Sequence, residues 1–234
     1  MIMQSTHKLI IALDRPSVAD ARQIIDQIGP HGNFYKIGYQ LIPIGGLDLA
    51  KELSTTGKKV FLDFKFHDIG ATVERGVASI AKLGGDFLTV HAEPDVLKGA
   101  VAGRGDDPRL KILGVTVLTS LTQEKIAAAG INMKLEDLVL KRAEHAANAG
   151  ADGVVASAKE AAAIKARFGD ALTIVTPGVR PVGASQDDQA RIVTPGDAIR
   201  AGADYLVVGR PIVNAATPAE IAGNIQSEIA AATA

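Results

Sequence analysis

Apolar residues along this chain gather into short β-branched runs separated by longer stretches with a helical repeat. The runs are Leu9 to Asp14, Phe34 to Gly38, Lys59 to Lys65, Phe87 to His91, Ile112 to Leu118, Gly153 to Ala156, Leu172 to Thr176 and Tyr205 to Gly209. Eight runs over 234 residues leave about 29 residues per unit, which a strand, a loop and a helix of about 12 residues fill. Between the runs, Ser17 can cap a helix with apolar positions Val18, Ala21, Ile24, Ile25 and Ile28, closed by Gly29-Pro30. Leu135, Leu138, Val139, Ala143, Ala146 and Ala147 repeat the pattern before Gly150, and Thr217-Pro218-Ala219-Glu220 reads as a capping box opening the last helix. Two units share one phrase: Ala149-Gly150-Ala151-Asp152 and Ala201-Gly202-Ala203-Asp204 each predict a helix end, a glycine cap and a buried parallel strand. Strict alternation implies parallel strands with right-handed crossovers. An α/β fold follows, a single (β/α)8 barrel domain over residues 1–234. An open dinucleotide-binding sheet would carry a glycine-rich turn after the first strand, where this chain has Asp14-Arg15-Pro16-Ser17.

Composition narrows the function classes. With 47% apolar residues and a formal charge of -1, the chain can bury a core and lacks the basic excess of a nucleic-acid binder. No apolar run approaches the roughly 20 residues needed to span a bilayer. After Lys8 only Leu9 to Leu13 are apolar before Asp14, which does not read as a signal peptide, so a cytoplasmic location is expected. The absence of cysteine excludes thiol chemistry and disulfides. Aromatics are only 4%, so the expected core is built from Val, Ile, Leu and Ala.

Barrel enzymes work at the C-terminal ends of their strands. Those positions hold Asp14, Lys36, Asp63, Lys65, His91, Thr119, Ser120, Pro177, Arg180, Gly209 and Arg210. Asp63 and Lys65 are two apart, which on a regular strand turns both side chains to one side, with Leu62, Phe64 and Phe66 free to face the helices. Buried charges need partners, and Lys36 on the neighbouring strand is a natural counter-ion for Asp63. Asp68 lies three residues further on, beyond the strand. The five histidines have no metal-ligand spacing; His67 reads as structural and His91 as a residue near the mouth without an assigned role.

The segment Asp63-Phe64-Lys65-Phe66-His67-Asp68-Ile69 resembles the Asp-x-Lys-x-x-Asp signature of the orotidine 5'-monophosphate decarboxylase family. Ala12-Leu13-Asp14, Lys36-Ile37-Gly38, Leu118-Thr119-Ser120-Leu121, Thr176-Pro177-Gly178-Val179-Arg180-Pro181 and Val208-Gly209-Arg210-Pro211-Ile212 extend the resemblance along the chain. One departure is Gly70-Ala71-Thr72, where the family usually has Pro-Asn-Thr. The resemblance implies cofactor-free, metal-free decarboxylation of orotidine 5'-monophosphate, the last step of de novo pyrimidine nucleotide synthesis. It implies that Lys65 stabilises and then protonates the carbanion at C6, that Asp63 sits near the departing carboxylate and holds Lys65, and that Lys36 orients Asp63. It further implies a homodimer in which Asp68 and Thr72 serve the partner's site. Gln189 and Arg210 would grip the phosphate with Gly209, Arg180 would join the substrate site, Asp14 would accept from the ribose, and Thr119, Ser120 and Pro177 would line the base and ribose.

Phosphate is also expected after the seventh and eighth strands on general grounds, where Gly209-Arg210 offers an N–H and a guanidinium. The connection from Pro177 to about Ile192 is long enough to act as a lid. Aspartates flanking Lys65 argue against a Schiff-base lysine, which needs an apolar pocket. A related reading is an Mg2+-dependent sugar-phosphate decarboxylase or aldolase similar to 3-keto-L-gulonate 6-phosphate decarboxylase. The remaining one is a catalytically silent barrel that binds a phosphorylated ligand.

Overall fold

A computed structural model describes residues 8–181 and 193–233 of the chain. Eight parallel strands close into a barrel in sequence order: β1 (Leu9–Ala12), β2 (Phe34–Ile37), β3 (Lys59–Phe66), β4 (Phe87–His91), β5 (Lys111–Val115), β6 (Gly153–Val155), β7 (Thr173–Pro177) and β8 (Tyr205–Val208). Pairing of Ile10 with Val207 joins the last strand to the first. The helices are α1 (Val18–Ile28), α2 (Gly46–Thr55), α3 (Gly70–Ala81), α4 (Pro94–Arg104), α5 (Gln123–Ala128), α6 (Leu135–Ala149), α7 (Ala158–Phe168), α8 (Pro195–Arg200), α9 (Arg210–Val213) and α10 (Pro218–Thr233). All eight expected runs are strands, and the (β/α)8 architecture expected from their spacing is the one observed. The fifth strand ends at Val115, three residues before the expected Leu118. There the Thr116 N–H still donates to the Val155 carbonyl at 3.2 Å, but its own carbonyl accepts from the Arg142 guanidinium at 2.6 Å instead of from a strand.

Local chemistry explains the element ends. The Ser17 hydroxyl accepts the Asp20 N–H at 3.1 Å and caps α1. Gly150 closes α6 with φ 76° and Gly202 follows α8 with φ 103°, a left-handed backbone that glycine adopts without penalty. The aspartates that end the two repeated phrases have a further task at the base of the barrel. Asp152 accepts the Ile112 N–H of β5 and Asp204 accepts the Ile174 N–H of β7, each at 2.8 Å. Asp86 does the same for Val60 of β3 at 2.8 Å. In β3, β5 and β7, then, an N–H at the start of the strand is satisfied by a carboxylate placed just before the next strand.

Most of the core lies between the strands and the helices and is aliphatic, as expected. The barrel interior corrects that expectation. Its cluster comprises Ile10, Ala12, Phe34, Phe61, Phe87, Leu113, Val175 and Val207, with Val155 and Tyr205 packed against it. Phe34, Phe61 and Phe87 come from three adjacent strands, and Tyr205 meets Phe87 edge-on with ring centroids 5.0 Å apart. Branched aliphatic side chains commonly fill such a barrel, but here several inward positions are small, Ala12 and Gly153 among them. Large rings from β2, β3, β4 and β8 fill it opposite Gly153 and Val155 of β6. The few aromatics of this chain are thus concentrated where volume is needed.

Candidate active site

The charged groups stand directly above this aromatic layer. Side chains on a strand alternate, so the residue two past an inward ring also points inward. Lys36 follows Phe34, Asp63 follows Phe61 and Thr89 follows Phe87 by that step. Lys36 and Asp63 are each 8% exposed and Thr89 1%. Lys36 Nζ lies 3.3 Å from Asp63 Oδ2 and 3.1 Å from Asp14 Oδ1, the latter beyond the end of β1. Asp63 Oδ1 accepts from Lys65 Nζ at 2.7 Å and from the Thr89 hydroxyl at 2.8 Å. Two carboxylates and two ammonium groups therefore form one chain of contacts across the ends of β1, β2 and β3.

Lys65 reaches Asp63 by a less regular route than simple alternation. Leu62 pairs with Leu88 and Phe66 with Val90, so four steps along β3 match two along β4. Within this irregular stretch Lys65 has φ 48°, the one non-glycine residue with positive φ among the described residues. A side chain in that conformation costs roughly 1–2 kcal/mol relative to an ordinary one. The Lys65 N–H, displaced from the ladder, donates to the Thr89 hydroxyl at 3.0 Å. Bulges of this kind re-aim a side chain, and here the ammonium returns to the carboxylate two residues before it. Phe64 and Phe66 stack at 4.9 Å on the helix side, as expected.

Burial alone would push the Asp63 carboxyl up, but Lys36, Lys65 and the hydrogen bonds to it outweigh burial and hold it below the usual carboxylate range. Burial likewise works against a charged Lys36, yet Asp63 and Asp14 hold its ammonium above the ordinary lysine range. Both groups stay ionised in a nearly dry site. His91, at the end of β4, lies with its ring centroid 4.8 Å from that of His67. Burial, then the neighbouring His67 and Arg142, hold His91 below the usual histidine range against the opposing pull of Glu93. The two rings border a cavity of about 240 Å³ that Leu118, Leu121, Glu93 and Arg142 also line.

The remaining expected residues fall in three groups. Pro177 ends β7, and Arg180 just beyond it is buried, with its N–H on the Val193 carbonyl at 3.1 Å. Gly209 caps α9 directly above Ala12 of β1, so close that a Cβ there would stand 3.3 Å from Ala12 Cβ, and Arg210 beside it is exposed. Thr119 is half-buried and Ser120 exposed in the turn after β5. Asp68 and Thr72 are exposed, and the Asp68 carboxylate accepts its neighbour's Ile69 N–H at 2.7 Å. Gln189 lies outside the described residues, as does the central part of the connection expected to be a lid, residues 182–192.

At the departure from the usual Pro-Asn, α3 begins at Gly70. A Cβ on Gly70 would lie 2.9 Å from the Asp95 carbonyl, and one on Gly99 2.3 Å from the Gly70 carbonyl. Glycines at 70 and 99 thus let α3 and α4 approach backbone to backbone. Two residues of the site escaped the sequence reading, Thr89 and Tyr39. Thr89 was detectable as a hydroxyl two residues past Phe87 in an otherwise apolar strand. Tyr39 had no local signal.

Comparison with known proteins agrees with this geometry. The model of the orotidine 5'-phosphate decarboxylase / HUMPS family matches residues 7–225. Orotidine 5'-phosphate decarboxylase of Bradyrhizobium diazoefficiens is 54% identical over 222 residues, 95% of this chain and 93% of the relative. That of Rhodopseudomonas palustris strain BisA53 is 51% identical over 231 residues, 99% of this chain and 98% of the relative. The crystal structure of orotidine 5'-phosphate decarboxylase from Lactobacillus acidophilus superposes with a TM-score of 0.83 at 35% identity, covering 94% of this chain and 98% of that one. Matched along nearly its whole length in sequence and in fold, the chain belongs to the orotidine 5'-phosphate decarboxylase / HUMPS family.

Proposed function

We propose that this chain, as one barrel domain over residues 1–234, decarboxylates orotidine 5'-monophosphate to uridine 5'-monophosphate and CO2, the last step of pyrimidine nucleotide synthesis, without a cofactor. The observation that carries the reading is the buried Asp63 carboxylate held as an anion between Lys36 at 3.3 Å and Lys65 at 2.7 Å. Loss of CO2 from C6 leaves the bonding electron pair on a ring carbon that delocalises it poorly. A catalyst must then favour charge at C6 more than it favours the bound carboxylate. Asp63 stands near the departing carboxylate and disfavours it, while the Lys65 ammonium faces C6, stabilises the growing negative charge and delivers its proton there. Lys36 keeps Asp63 in place. Because the charges are fixed before substrate arrives, little reorganisation is needed during the step.

Gly209, Arg210 and Gln189 hold the phosphate, with Arg180 nearby. Asp14 accepts from the ribose, and Thr119, Ser120 and Pro177 bound the base and ribose. The chain works as a homodimer in which Asp68 and Thr72 complete the partner's site. Their exposure supports this, as do the exposed apolar side chains Ile69 at 71% and Leu118 at 39% around the mouth. A metal-dependent sugar-phosphate reaction is disfavoured, because both oxygens of Asp63 are already engaged by lysines and a hydroxyl.

The deciding experiment follows orotidine 5'-monophosphate consumption by absorbance, with and without EDTA. Turnover that survives the chelator is expected; no turnover, or turnover that EDTA abolishes, overturns the reading. For the shared site, Lys65→Ala and Asp68→Ala chains are mixed. Some mixed dimers then regain one intact site, and no recovered activity despite confirmed subunit exchange refutes the composite arrangement.

A further inference from the structure

Tyr39 sits in the loop directly after β2, two residues past Ile37, and is 64% exposed. A large aromatic left so open has no packing reason to be ordered, yet two contacts tie it to the catalytic strand. Its hydroxyl donates to the Phe64 carbonyl at 2.6 Å. Its ring lies under the Lys65 ammonium, 5.6 Å from centroid to Nζ. Phe64 is the residue just before the one with φ 48°, inside the stretch where the β3–β4 ladder loses its register. Backbone in that state persists only where surrounding contacts over-determine it. On the β4 side the Thr89 hydroxyl takes the Lys65 N–H at 3.0 Å. Tyr39 grips the same peptide from the β2 side.

We propose that Tyr39 is a positioning residue that clamps the strained tip of β3 and, with its π-face, holds the Lys65 ammonium toward C6. This inference rests on the proposed role of Lys65 as proton donor. The hydroxyl and the ring contribute separately. The hydroxyl fixes where the Lys65 backbone sits, and the ring attracts its charged head. Neither contact involves a residue proposed to hold phosphate or ribose, so ground-state binding is expected to be largely independent of Tyr39.

The test compares Tyr39→Phe, which keeps the ring and removes the donor, with Tyr39→Leu, which removes both. Kinetics on orotidine 5'-monophosphate, hydrogen exchange of the peptide over residues 62–68, and sedimentation are measured for each. Expected is a kcat about fivefold lower for Tyr39→Phe, from one lost hydrogen bond. For Tyr39→Leu the expected loss is about thirtyfold, with the cation–π contact gone as well. KM should stay within about twofold in both, because the lost contacts place Lys65, whose proposed contribution is made in the transition state, and not the groups proposed to hold phosphate and ribose. Exchange over 62–68 should quicken in both variants and remain unchanged elsewhere. Wild-type kcat in both variants, a rise in KM with kcat unchanged, or unchanged exchange over 62–68 overturns the inference. A silent Tyr39→Phe with a dissociated Tyr39→Leu dimer overturns it too, by making the ring an interface contact. Should the wild-type chain fail to consume the substrate, the function falls, and exchange over 62–68 still decides whether the clamp exists.

Discussion

Thr89→Val replaces one hydroxyl by a methyl of similar size at a position 1% exposed, so it probes hydrogen bonding with little change in packing. The lost hydroxyl donates to Asp63 at 2.8 Å, and a bond to a charged group contributes about 1.5–3 kcal/mol. It also accepts the Lys65 N–H at 3.0 Å, and leaving that half-buried donor unpaired costs about 1–3 kcal/mol. Both losses come from one atom and the site relaxes in part, so the expected destabilisation is about 2–4 kcal/mol. For a chain of 234 residues each kcal/mol shifts Tm by about 2–4 °C, so the melting point should fall by roughly 5–15 °C. Turnover should fall by at least about tenfold, since Asp63 and the Lys65 backbone lose a shared anchor and small misplacements of reacting groups are costly. Thermal melts and steady-state kinetics of Thr89→Val and Thr89→Ser check this. Serine keeps the hydroxyl and should recover most of both quantities. The reasoning fails if valine behaves as the wild type, or if serine is as impaired as valine.

Gly38→Ala would set a Cβ 3.0 Å from Lys36 Nζ and 3.7 Å from Asp14 Oδ1. A fall in kcat on the order of tenfold to a hundredfold with a small change in melting point is expected, and unchanged kcat would show that Lys36 has room to move. Lys65→Ala and Lys65→Gly should both abolish turnover while folding. Despite the usual penalty for glycine, Lys65→Gly should be about 1 kcal/mol the more stable in urea denaturation, because it accepts φ 48° freely; equal stabilities would remove the argument for strain. His91 is held below the usual histidine range in the fold, so the unfolded chain takes up its proton first. Stability should therefore be full above about pH 6.5 and fall as pH drops toward the lowered folded value, and His91→Gln should flatten that part of the profile. An identical slope in the variant would assign the acid sensitivity elsewhere.

Much of the site could be read without coordinates. Charged residues at the ends of strands made otherwise of apolar residues are costly unless paired, so Lys36, Asp63 and Lys65 announced themselves. Thr89 left only a weak mark, a hydroxyl at the inward position of an apolar strand, and only its β3 partners Asp63 and Lys65 make that hydroxyl a junction. Alternation along β3 put Asp63 and Lys65 on one side. Their side chains do meet, but through a shifted register and a left-handed backbone at Lys65 that no two-residue period contains. Tyr39 is silent for a similar reason: its partners are 25 residues away for Phe64 and one further for Lys65.

What the sequence determined by itself was the set of elements and their order. A buried parallel strand and an amphipathic helix each carry their own period, so eight units and a barrel follow from local pattern. Tertiary structure alone decided which of those residues touch. Ring closure placed Phe34, Phe61, Phe87 and Tyr205 together inside the barrel, where the scarcity of aromatics had suggested aliphatic filling. Cross-strand register set Lys36, Asp63 and Thr89 one layer above them. Such contacts join strands far apart in the chain, and their geometry depends on how all eight strands tilt and stagger at once.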